Sequence, residues 1–438
     1  MLKYRIATVA TALASFLWVG QPGQGLQEPP LAVSPNVELL GNIPGSAAGM
    51  DFTGHYAYVT GWDGLTVLDI AAPASPTVAG FLPLPHFENE DVDLCGDTLI
   101  IVNDREARDI GAVMYVIDIS ARTTPSVSAV LPLGLTGEGR GSGHIANFVT
   151  QDCSLVWVDG GNLVEVVDLS NPAAPQSLGK FESEASKSDA FKVTHDTELD
   201  GQGFLWSVGG GGAAGYRLTK DPLKPRLRWT TGPAGVNPSP YNDFILHNSK
   251  RVGNVLYVTE EDYIDTSETP PGGCRGQGKF ETWQIRTDGV LAPLDTWQTE
   301  LNGMFTDGSA DSKAPVTVNC SSHWFEVRAG VAAVGWYEQG TRFLDLTDPT
   351  NILQVGYYLP ANGSTWAAYW SPTDRTGQIA YTTDVYRGID ILRLDRSRAG
   401  TPVQAPVPAT WFDAVATPAT YEPSSTFGWA CVYRVEVA

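Results

Sequence analysis

The feature that most constrains this chain is a short apolar strand that ends in aspartate and runs on into a turn. It recurs as LTVLDIAAP, MYVIDIS, VEVVDLSNP and RFLDLTDP. On that frame the marked position falls at Asp69, Asp118, Asp168, Arg217, Gln284, Asp345 and Arg393, in steps of 49, 50, 49, 67, 61 and 48 residues. A period in this range with several strands per unit belongs to propeller blades, which bury their faces only against neighbouring copies. Seven units emerge, so the expected fold is all-β, a single seven-bladed β-propeller. The two longer steps are accounted for by loop-like insertions near 264–278 and 302–318.

Each unit carries a strand before the marked one, as in YAYVTG, TLIIVND, SLVWVDG, FLWSVG, VLYVTEE, VAAVGWY and QIAYTTD. A further strand follows the turn, as in TVAGFLPLP, QSLGKF and LQVGYYLP, where apolar residues alternate well enough to bury one face. The segment 35–44, PNVELLGNIP, reads as such a last strand with no blade before it, whereas the seventh unit stops after ILRL without one. The N-terminal strand is therefore expected to join the last blade and close the ring, removing the edge that an open sheet would expose. The propeller is expected to occupy residues 33–438, with a tail over 395–438 that ends in the apolar ACVYRVEV and has no assigned place.

The strands VMYVIDIS and LVEVVDLS, each followed by a turn, resemble the blades of LVIVD-repeat proteins. The resemblance spans roughly residues 35–395 and implies an exported propeller without implying any particular activity. The units marked by Arg217, Gln284 and Arg393 lack the family's aspartate and rest on spacing and strand pattern.

Composition agrees with the all-β reading, since 46 glycines and 30 prolines suit many short strands joined by turns. A formal charge of −21 with no basic stripe argues against a nucleic-acid partner. Lys3 and Arg5 precede an apolar run from Ile6 to Val19, too short to span a bilayer, so residues 1–27 read as a signal peptide and the mature chain as secreted or extracytoplasmic. No later stretch has the length and apolarity of a membrane helix.

Export permits disulfides among Cys95, Cys153, Cys274, Cys320 and Cys431. Cys95 and Cys153 occupy the same place in neighbouring repeats and are expected to bridge adjacent blades, with Cys274 and Cys320 as a second pair.

Four of the six histidines recur about eight to eleven residues ahead of the next strand in consecutive units: His144, His195, His247 and His323. That register places them on the innermost strands, where several blades converge on the axis. Histidine is the commonest neutral metal ligand, so the expected site holds one transition metal ion, Fe, Cu, Mn or Zn. Glu90 falls at the equivalent place in the second unit and completes the expected ligand set, and Asp91, Asp93, Asp196 and Glu198 are candidates to serve as a further ligand or to orient the imidazoles.

Two functional readings follow. The first is a metalloenzyme, an oxidoreductase or lyase acting on a small molecule or glycan. Its architecture is similar to that of carotenoid-cleaving oxygenases and oligogalacturonate lyases, with which no motif is shared. The second is a non-catalytic extracellular module that binds protein or glycan. Coordination separates them, because an open metal position favours catalysis and a closed ligand set favours structure.

Other features read as structural. Gly209–Gly212 is a turn between strands, and no nucleophile elbow or phosphate loop is present. Trp324, Phe325, Trp366, Tyr369 and Trp370 read as packing between blades, with a platform for a flat ligand as the competing reading. Glu260, Glu261, Asp262 and Tyr263 read as an exposed acidic turn, with acid or base chemistry as the alternative. His55 is expected in an exposed turn and His86 in a loop.

Overall fold

The computed structural model describes residues 28–84, 91–103, 112–133, 143–188, 192–232, 244–262, 278–305, 315, 318–398 and 400–413. These residues form seven antiparallel sheets, one per expected unit. Blade 1 shows the pattern, with strands Met50–Thr53, Tyr56–Gly61, Gly64–Asp69 and Thr77–Pro83 running outward in order.

Seven apolar clusters fill the seven spaces between adjacent blades. Tyr58, Leu65 and Val67 of blade 1, for example, pack on Leu99, Ile101 and Tyr115 of blade 2. Both faces of a blade are thus buried, which is why strands such as Leu155–Val158 and Val331–Gly335 are continuously apolar instead of alternating. Trp324, Phe325, Trp366, Tyr369 and Trp370 are all buried, so they are packing residues and offer no open aromatic platform.

The seven marked positions are equivalent in space. Each lies on the third strand of its blade, as in the pairs Asp69↔Tyr56, Arg217 beside Tyr216↔Leu205, and Arg393↔Ile379. The carboxylates of Asp69, Asp118, Asp168 and Asp345 accept the backbone N–H two residues on, from Ala71, Ser120, Ser170 and Thr347, at 2.8–2.9 Å. The repeated aspartate therefore caps the turn that leads to the outer strand. In blades 4 and 7, Asp221 and Asp395 make the same contact to Leu223 and Ser397. Arg217 is left to cover the Phe204 ring, and Arg393 pairs with Glu38. The outer strand of every blade also carries one extra residue, among them Ala79, Leu178 and Leu40. Periodicity alone does not reveal this recurring bulge.

Val37–Ile43 pairs along Gly388–Leu394 and supplies the missing strand of blade 7, as expected. Just before it, Ala32–Val33 adds a fifth strand to blade 6. Residues 400–413 lie against the outside of blade 6, where Ala405 and Trp411 pack with Tyr357 and Leu359 and the Gln354 side chain donates to the Val403 carbonyl. No helix among the described residues is long and apolar enough to cross a membrane. The expected signal segment, Cys274 and Cys431 lie outside the described residues.

Cys95 and Cys153 form the expected disulfide between blades 2 and 3, and Cys320 is also disulfide-bonded. The first bridge spans 58 residues, a separation at which cross-linking the unfolded chain stabilises the fold by ~4 kcal/mol in the chain-entropy model. Replacing both Cys95 and Cys153 by serine should therefore lower the unfolding midpoint in denaturant clearly. An unchanged midpoint would show that packing alone holds the two blades together.

Candidate functional site

The innermost strands, Met50–Thr53, Val92–Cys95, Ala146–Phe148, Thr194–Leu199, Phe244–Val252, Phe325–Arg328 and Thr365–Trp370, follow one another around the axis. Within or just before four of them sit His144, His195, His247 and His323, all buried. Their rings form a series, with centroids 4.8, 4.1 and 4.0 Å apart. Four side chains from four blades are thus brought together as the register predicts. Glu90 and His86 lie outside the described residues, as does Tyr263. His55 is exposed in its turn.

Backbone irregularity aims these rings. The ladder shifts between Thr194 and Asp196, between Leu246 and Ser249, and between Thr365 and Ala367, so His195, His247 and Trp366 stand in bulges. The carbonyls of two of these residues receive neighbouring rings. His195 Nδ1 lies 3.0 Å from the His247 oxygen, and His323 Nδ1 lies 2.8 Å from the Trp366 oxygen. A carbonyl only accepts, so Nδ1 carries the proton in both rings, and the neutral ring presents Nε2 as a lone-pair donor. This is the arrangement in which metal-binding histidines are usually held.

The Nε2 atoms then meet one another and a carboxylate. His144 Nε2 lies 3.1 Å from His195 Nε2. With His195 neutral and protonated at Nδ1, His144 donates that bond. His247 Nε2 is 3.5 Å from Glu261 Oε2, and His323 Nε2 is 3.7 Å from Glu261 Oε1. His195, His247 and Glu261 each offer a ligand atom within 4.8 Å of the others, and all three are buried. Tyr337 donates its hydroxyl to Glu261 Oε1 and meets the His323 ring edge-on.

Glu261 corrects the sequence reading. Glu260, Glu261 and Asp262 are buried rather than forming an exposed acidic turn. The second strand of blade 5 runs Val255–Asp262, eight residues against the four or five of Leu155–Val158, Leu205–Gly209 and Val331–Gly335. Its extra length carries Glu261 up to the histidine level. That acidic ending is the only signal in the sequence. Tyr337 gives none, because it enters from a tight turn after a blade-6 strand.

Below the histidines the axis is acidic. Asp196 accepts from the side chains of Asn147 and Asn248 at 3.1 Å each. Asp91 is buried beside Asp196, Asp93 and Glu198, and burial followed by these charges raises its pKa well above the ordinary value. Toward the far end, Lys250 is held between Glu198 and Glu326. Asp91, Asp93, Asp196 and Glu198 therefore lie close together below the histidine level. Asp159, fully buried at the end of a blade-3 strand, is pushed by burial up to about 8.

Among known families, the LVIVD repeat matches residues 44–81 and 156–182, which cover blade 1 with its lead-in and most of blade 3. The chain carries LVIVD repeats. No curated protein matches it. Among solved structures, this LVIVD-repeat propeller is similar to a chain of the "Mitotic Checkpoint Complex", with 11% identity and a TM-score of 0.50, covering 90% of this chain and 98% of that one. It is likewise similar to the β-propeller domain of Cps50 (Swd1) from Myceliophteria thermophila, with 12% identity and a TM-score of 0.55, covering 82% and 100%. At such identities the likeness is one of fold.

The channel acids make stability depend on pH. Asp93 accepts N–H bonds from Phe148 and Leu94, but burial still raises its pKa to about 7, against 3.8 in an exposed chain. The folded state therefore binds protons more tightly than the unfolded one between those values. The contribution of Asp93 to stability should fall as pH rises from about 4 to 7 and level off above. Asp93→Asn should flatten that part of a thermal-melting profile taken from about pH 4 to 8.5. A variant with the parent slope would show that Asp93 does not titrate in this window.

Proposed function

We propose that this LVIVD-repeat propeller is an exported metalloprotein that binds a transition metal ion on its axis and uses it in catalysis, as an oxidoreductase or lyase acting on a small molecule. The observation that carries this reading is the convergence of His195, His247 and Glu261, with ligand atoms within 4.8 Å in a buried setting. Two imidazoles and one carboxylate form a donor set suited to Fe, Mn, Cu or Zn, and three protein ligands leave positions for water or substrate. An ion there would act as a Lewis acid or activate bound water or oxygen. Without a cation, three buried neutral or acidic groups share one site, where a carboxylate is costly. The Nδ1 bond of His195 to the His247 carbonyl also fits ligation through Nε2. The disulfide between blades 2 and 3 suits an oxidising compartment outside the cytosol.

The test is elemental analysis of protein purified without a metal-binding tag, beside His195→Ala and His247→Ala. A transition metal in the parent and its loss from both variants is the expected result. A metal-free parent that also fails to take up Zn, Mn, Fe or Cu would leave the non-catalytic binding module as the reading.

A further inference from the structure

We propose that the axial site is dinuclear, with Glu261 as a bridging carboxylate and a second metal ion held by His323 and Tyr337. The proposal rests on the metal-site reading above and sharpens it.

The two oxygens of Glu261 serve different groups. Oε2 faces His247 Nε2 at 3.5 Å, and the His247 ring is followed in the series by His195 and His144. Oε1 faces His323 Nε2 at 3.7 Å and receives the Tyr337 hydroxyl. Two ligands on one ion at ordinary bond lengths of about 2.0–2.2 Å stand roughly 3 to 4 Å apart, and both separations fall in that range. The compact set of three ligands includes His195, His247 and Glu261, whereas His323 stands at the other end of the ring series, beyond His247. His323 is not in that compact set, although its Nε2 faces Glu261 Oε1. A second ion on the Oε1 side uses that nitrogen, the carboxylate and the phenol oxygen. Carboxylate-bridged ions about 3.5–4 Å apart are the usual form of two-metal sites.

Tyr337 supplies the independent observation. Its backbone has φ of 40°, a left-handed conformation that a tyrosine adopts at a cost. The strain is fixed by a tight turn in which Gln339 N–H donates to the Trp336 carbonyl and Gly340 N–H to that of Tyr337, while Thr365 N–H also donates to Tyr337. Strain of this kind concentrates where a side chain must be aimed. The side chain is buried with its hydroxyl on Glu261 and its ring against His323 and Trp366. On binding, the ion replaces the phenol proton, which passes to solvent, and a metal–oxygen bond forms with no change of oxidation state.

The experiment loads metal-free protein with Zn²⁺, removes excess by gel filtration and counts bound zinc in the parent, Tyr337→Phe and His323→Ala. About two equivalents are expected in the parent and about one in each variant. Titration with Cu²⁺ gives a second readout: a phenolate-to-copper absorption band should grow with the second equivalent and be absent in Tyr337→Phe. One equivalent in the parent, kept in Tyr337→Phe, would overturn the dinuclear site and leave the single-ion reading intact. No zinc in the parent would overturn both. Two equivalents in the parent, two in Tyr337→Phe and no copper band would remove Tyr337 and its side of the carboxylate from the assignment. Should a variant fail to fold, the parent's stoichiometry and copper spectrum still decide.

Discussion

Everything at the axis depends on one strand pairing, that of Val37–Ile43 with Gly388–Leu394. A blade presents two apolar faces and is unstable without a neighbour on each. The chain therefore becomes a closed object only when a strand near its beginning is hydrogen-bonded to one near its end. Closure fixes the angle between successive blades, and that angle determines which inner-strand side chains meet. The turn-capping aspartates, the outer-strand bulges and the apolar clusters between blades all act locally. The ring converts their repetition into a single channel.

Within that channel the backbone departs from regularity where chemistry is concentrated. In a regular strand successive side chains point to opposite faces, which would aim only some of these histidines at the axis. The bulges at His195, His247 and Trp366 break the alternation, and the carbonyls of His247 and Trp366 orient the rings of His195 and His323. The acidic stretch below is a different environment. Carboxylates there outnumber the cation Lys250, and burial holds several of them above their ordinary pKa. The axis thus passes from nitrogen donors at one end to oxygen donors along its length.

Much of this is legible in the linear chain. The seven marked positions are equivalent because a blade is a local unit whose strands pair with their sequence neighbours. Cys95 and Cys153 pair because equal positions in adjacent repeats lie side by side. The four histidines share a level for the same reason. Glu261 reads as part of an exposed turn because its strand outruns its counterparts, and a strand's length past its partner leaves no periodic mark. Tyr337 escapes notice because a turn residue aimed by a strained φ carries no pattern at all. The bulges are invisible too, since an extra residue in a strand is indistinguishable from an ordinary one until its partner is known.

The sequence by itself determined the blade count, the closing strand, the disulfide between blades 2 and 3 and the level of the histidines. These follow from short-range periodicity, which hydrogen bonding between neighbouring strands obeys. Only the tertiary structure decided which carboxylate joins the histidines, which imidazole nitrogen faces inward and which tyrosine reaches the site. Those outcomes depend on contacts between blades, as between Glu261 and His323, and on the alignment of two strands within blade 5. Their geometry is set by the angle between successive blades and by local breaks in the ladder, neither of which a linear repeat encodes.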